Sequence, residues 1–184
     1  KQFWILGAVL FLTVIVVAGL LSNFERIMTE QGFERSSIAQ IAAVMGLTVI
    51  IGRLIVGALV DRFGAPGVAA CFFLVATLGL LILVGTQVAM ATALLVAVMI
   101  GLAAGAELDL LAYLTGKYFG PAHYPAIFGL IIAFFTVGAG IAPPLFGMAA
   151  QMFQGYGTML SISIGLLLVS ILLFLSLGRY PDEE

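Results

Sequence analysis

The chain has 184 residues, 63% of them apolar and only 9% charged, with a mean hydropathy of +1.25. Soluble domains average about 45–50% apolar and about 25% charged, so a water-soluble fold could not hide this surface. The net charge of -2 is spread thinly over the sequence, and no basic cluster suits nucleic acid.

A helix needs about 20 residues to cross a hydrocarbon core of about 30 Å. Six apolar runs of that order follow one another at 3–21, 38–60, 68–84, 89–114, 126–146 and 158–176. They are continuous and rich in Gly and Ala, which excludes alternating membrane strands of about 9–11 residues. The sequence therefore predicts an all-α membrane protein, a single domain over 1–184 with six transmembrane helices and no soluble domain. The first run is too long for a cleavable signal peptide and has no cleavage-site pattern. A start at Lys1 rather than Met suits a piece of a longer protein.

The first run leads into the longest connection, 22–37, which carries Glu25, Arg26, Glu30, Glu34 and Arg35. The second run holds a fixed charge, Arg53, eight residues before Asp61 and so about 12 Å along a helix from it. Snorkelling of the side chain towards the interface is one reading. The stripe favours another: Gly46, Ile50, Arg53 and Gly57 recur at helical spacing, and the two glycines leave room around the cation. A cation with room suggests a water-filled cavity and an anionic ligand, because a guanidinium offers two parallel donors to a carboxylate.

The connection 61–66 is tight and charged. The third run contains Cys71, the sole cysteine, which reads as a free core thiol, and 85–88 is barely a turn. The fourth run carries Gly101 and Gly105 in a GxxxG arrangement, a close-packing signal. Glu107 and Asp109 follow, about 200° apart on a helix, so both cannot face one cavity. One suits proton or substrate coupling, since a carboxyl in a membrane can be neutralised by taking a proton. The other suits an ion pair with Arg62 or a helix cap, and structural ion pairing of both is equally open.

The connection 115–125 holds Lys117, Pro121, Pro125 and His123, the sole histidine, which reads as an ordinary loop residue. The fifth run lines up Gly129, Ala133, Thr136, Gly140 and Pro143 on one face, and Pro143–Pro144 should end or kink the helix. Phe134 and Phe135 fit either a cavity wall or a lipid-facing surface. After the polar connection 148–157 and the sixth run, the tail ends in PDEE.

Six spans put both termini on one side, with Lys1, Arg62, Lys117 and Arg179 against Arg26 and Arg35. The positive-inside rule then makes both termini cytoplasmic, an arrangement expected in a bacterial inner membrane.

The segment Gly57-Ala-Leu-Val-Asp61-Arg62-Phe-Gly64 resembles the GxxxDRxG signature of the major facilitator superfamily, found between the second and third helices of each half. Ala65 and Pro66 follow where that family often has two basic residues, a degeneration usual in the second half. The stretch from Gly140 through Pro143–Pro144 to Gly147, followed by Tyr156, is similar to the eleventh helix of monocarboxylate-porter and oxalate/formate-antiporter relatives. Those relatives carry an arginine in the eighth helix, where Arg53 falls.

The resemblance implies helices seven to twelve of a twelve-helix transporter, built as two inverted three-helix repeats and partnered by a missing N-terminal six-helix half. The first, second, fourth and fifth spans would line the cavity, and the third and sixth would face lipid. Arg53 would bind substrate, Glu107 or Asp109 would couple protons or gate, and Gly57, Asp61, Arg62 and Gly64 would form a conformational gate. Gly46, Ile50, Phe134, Thr136 and Gly140 are the cavity-lining candidates.

The expected function is secondary transport of a small organic anion, a monocarboxylate for want of a second intramembrane cation, with protons as a coupling partner. A major-facilitator transporter of a drug or sugar is the alternative. An intramembrane protease is disfavoured because the sole histidine falls in a connection, and a channel because no filter loop or charged ring is visible. No cofactor, metal or catalytic residue is expected.

Overall fold

A computed structural model describes residues 2–85 and 87–178. Lys1, Arg179 and the PDEE tail lie outside the described residues, and with them half of the cations behind the predicted orientation. The elements are α1 (Gln2–Glu30), α2 (Arg35–Phe63), α3 (Ala65–Gly85), α4 (Met90–Met152) and α5 (Gly157–Leu175). All five are long and apolar enough to cross a membrane.

The helices outrun the apolar runs. Nothing between Ser22 and Glu30 breaks a helix, so α1 continues through the expected connection and stops only at Gly32 (φ 88°). There Phe33 N–H donates to Met28 O at 3.1 Å and Gly32 N–H to Thr29 O at 2.9 Å, the paired bonds that close a helix C-terminus.

α4 is 63 residues long, about 95 Å at 1.5 Å per residue and far more than one bilayer crossing. It is broken at Gly120 (φ 68°, ψ 169°), the one residue inside it with non-helical angles. The residue before a proline is pushed out of helical space, and glycine takes positive φ without steric cost. Pro121 then opens the second arm, where its missing N–H would be unpaired anyway. The expected connection 115–125 thus shrinks to one residue, and His123 lies exposed in the first turn of the second arm rather than in a loop. Pro143–Pro144 do not end the helix, which stays helical to Met152. Membrane helices tolerate prolines, and here α1 lies alongside, with Asn23 Nδ2 donating to Pro143 O at 3.4 Å.

Contact register fixes the directions of the two arms. Along α1, Gly7, Val14 and Gly19 meet Phe134, Gly138 and Phe146 in that order, so α1 and the second arm run parallel. Along α2, Thr48, Gly52 and Arg53 meet Gly101, Leu102 and Gly105, so α2 and the first arm also run parallel. With α1 turning directly into α2, the arms of α4 must be antiparallel to each other. The chain reverses at Gly120.

The α2–α4 crossing is close enough that a side chain on Gly105 would strike the Val49 and Arg53 backbone, and one on Gly52 would sit 2.6 Å from Leu102 O. The GxxxG pair therefore packs as expected. α3 and α5 join through the stacked rings of Phe73 and Phe174, 5.6 Å apart. Their outer faces expose Leu74, Leu78 and Leu81 on α3 and Leu168, Leu172 and Leu175 on α5. In lipid such helices are held by close packing and interhelical hydrogen bonds rather than by water exclusion.

Candidate functional site

Thr13, Arg53, Glu107 and Thr136 all lie near the middle of their helices, and the register above brings them to one level. Arg53 is four residues past the centre of α2, and Glu107 two past the centre of the first arm, so each is about 3–6 Å from its helix midpoint. Gly105, against the Arg53 backbone, is two residues from Glu107. The Arg53 backbone and the Glu107 carboxyl nevertheless lie on different faces of the first arm.

Arg53 is exposed, and so are Gly46, Ile50 and Gly57 along its stripe. Nothing lies within 4 Å of where a side chain would start at Gly46 or Gly57. The stripe is an open face, not a packed seam. Thr136 and Gly140 are also exposed, and the Thr136 hydroxyl is turned onto Ile132 O at 2.8 Å. No partner of Arg53 is found among the described residues.

Glu107 is 3% exposed, buried beside Thr13 of α1, and its Oε1 has no hydrogen-bond partner among the described residues. Asp109 is half-buried. The 200° separation is therefore resolved: Glu107 faces the bundle interior and Asp109 does not. Neither pairs with Arg62, which is exposed in the last turn of α2. The parallel register explains this, since Arg62 is nine residues beyond Arg53 and so about a turn or more past both carboxylates. Asp61 is exposed as well, and Gly64 (φ 78°) ends α2 so that α3 can start at Ala65.

The chain matches the Major Facilitator Superfamily profile over residues 3–184. It belongs to the major facilitator superfamily. Members are membrane transporters, so the fold is an integral membrane one. No curated protein matches the chain. In this transporter fold, Phe134 meets Gly7 and packs edge-to-face on Phe3 and Trp4 at 6.3 and 6.4 Å. It lines an apolar groove of about 550 Å³ between α1 and the second arm, with Trp4, Phe11, Leu130 and Val137.

Sequence reasoning missed a polar clamp at the opposite end of α1. Tyr156 donates its hydroxyl to Asn23 Oδ1 at 3.0 Å, and its backbone N–H to Glu30 Oε2 at 3.0 Å. Asn23 Nδ2 also reaches Gly19 O at 3.0 Å. Beside it Gln31 donates to Leu83 O and accepts from Val88 N–H, both at 3.3 Å, joining α1 to the turn before α4. The signal available was Asn23 itself, an amide close to an apolar run that needs partners for both its donor and its acceptor.

Proposed function

We propose that this chain is the C-terminal half, helices seven to twelve, of a secondary transporter that carries a small organic anion, a monocarboxylate. The observation that carries the reading is Arg53: a mid-helix guanidinium on an open apolar stripe, without an ion-pair partner among the described residues. A charge facing hydrocarbon at that depth costs at least about 2.5 kcal/mol. The face is better covered by water and a second half, and a guanidinium facing water across a narrow cavity suits a carboxylate. In this reading each arm of α4 crosses the bilayer once, giving six spans in two inverted three-helix repeats. Both termini are cytoplasmic in a bacterial inner membrane. Glu107 is the proton-coupling carboxyl, with Asp109 in gating, and Gly57, Asp61, Arg62 and Gly64 form the gate at the cytoplasmic end. The partners are the substrate, protons, the bilayer and the N-terminal six-helix half.

The test is uptake of labelled lactate by proteoliposomes of the intact protein, beside Arg53→Ala and Arg53→Lys. Loss in both supports a bidentate anion anchor; uptake equal to the unaltered protein in both removes it. The groove at Trp4, Phe11 and Phe134 favours a second reading, a bulky apolar solute. Failure of lactate uptake with robust efflux of a lipophilic dye would select that reading.

A further inference from the structure

The C-terminal end of α1 and the N-terminal end of α2 enclose a recess of about 470 Å³. Small-molecule sites measure about 300–1,000 Å³ and are mostly apolar, with a few placed polar groups. The α2 wall runs from Arg35 to Met45, ten residues and so about 15 Å into the bundle. Glu25 and Arg35 lie on the outer side, nearer the turn between the helices, and both are exposed. Phe24, Ile38 and Met45 are buried and give the recess an apolar inner wall.

Glu25 and Arg35 share this space without an ion pair to each other or to any other described residue. The other charges at this end belong elsewhere. Arg26 lies towards Gly147 of the second arm, and Glu30 accepts from Tyr156 N–H at 3.0 Å. Glu34 precedes α2, makes no capping bond and does not line the recess. One positive and one negative group are thus held apart over an apolar floor. A simple anion at Arg35 would meet the Glu25 carboxylate across the same space, and a simple cation at Glu25 would meet the guanidinium. Like charges brought together this way oppose binding. A molecule carrying both signs satisfies both groups at once.

We propose that this recess binds a zwitterionic small molecule, an α-amino acid with an apolar side chain. Its carboxylate takes the two parallel donors of the Arg35 guanidinium, and its ammonium donates to the Glu25 carboxylate. The side chain runs inward over Phe24 and Ile38 towards Met45. Arg35 and Arg53 are 18 residues apart, five full turns, so they share one side of α2 at a separation of about 27 Å. No small molecule reaches both. The recess is therefore a site apart from the candidate anion anchor, at the outer mouth of the same open face, and its assignment does not depend on what Arg53 binds.

Saturable binding of labelled leucine to the intact protein in lipid nanodiscs tests this without transport. Arg35→Gln and Glu25→Gln should each raise Kd by about tenfold or more, the loss of a hydrogen bond to a charged group. Arg26→Gln, the same charge change at the same end, and Arg53→Ala should leave Kd unchanged. Isocaproate and isopentylamine, which are leucine without its ammonium and without its carboxylate, should compete poorly. No saturable leucine binding, or a Kd unmoved in both Arg35→Gln and Glu25→Gln, overturns the site. Isocaproate competing as well as leucine overturns the zwitterion assignment, and loss of binding in Arg53→Ala overturns the location.

Discussion

Gly105 of α4 lies directly against the backbone of Arg53 in α2, with no room for a side chain between them. This approach sets the spacing of the two helices that carry the candidate anion anchor and the buried carboxyl. A methyl group there would meet backbone, which cannot turn aside as a side chain can.

Gly105→Ala should therefore force α2 and the first arm apart, at a cost of about 1–3 kcal/mol. Thermal unfolding of purified protein in detergent should report a clear drop in Tm. Gly57→Ala, where nothing lies within 4 Å, serves as the comparison and should stay within about 0.5 kcal/mol. Equal Tm values for the two variants would remove the close-packing assignment.

Arg53→Ala should leave the thermal unfolding of the intact protein nearly unchanged, because the side chain is exposed and has no ion-pair partner among the described residues. Its effect belongs to transport. A Tm loss comparable to that of Gly105→Ala would instead make Arg53 a structural residue.

Tyr156→Phe removes the one hydroxyl among the described residues that donates to buried Asn23 Oδ1. Leaving a buried acceptor unsatisfied costs about 1–3 kcal/mol. The same change in an Asn23→Leu background should cost markedly less, so a double-mutant cycle on unfolding in mixed micelles should show coupling. Strict additivity would mean the two side chains do not act together.

Glu107→Gln preserves the shape of the neutral carboxyl but holds no exchangeable acid proton. Under the proposed mechanism, exchange of labelled for unlabelled lactate should persist while uptake driven by an inward proton gradient disappears. Gradient-driven uptake surviving in the variant would move proton coupling to another residue, with Asp109 the next candidate.

Gly120→Ala places a side chain at φ 68°, ψ 169°, a region held almost only by glycine, where an L-residue pays about 1–3 kcal/mol. Proteolysis at the arm junction of the membrane-embedded protein should become faster in this variant. An unchanged digestion rate and Tm would show that the reversal does not depend on this glycine.

Much of this was legible without a fold. Long uninterrupted apolar runs admit only helices in lipid, because backbone groups there must be satisfied within the segment. The Gly57–Gly64 segment pointed to the superfamily, and the position of Arg53 well inside its helix followed from its distance to Asp61. Helix ends were less legible: polar residues from Ser22 to Glu30 mark where the apolar run stops, whereas the helix stops at a backbone requirement met by Gly32. Pro143–Pro144 looked like an end or a kink, and the helix does not end there but runs on to Met152, because packing against α1 outweighs a local propensity.

What the amino-acid order determined alone is the helical, membrane-embedded class and the short list of charges placed in it. Which of Glu107 and Asp109 turns inward was decided only by tertiary structure. A helix distributes residues around its axis by geometry, but which face is buried depends on the neighbour laid against it. Here the glycines of the first arm draw in α2, leaving the opposite face, and Glu107 with it, beneath Thr13 of α1.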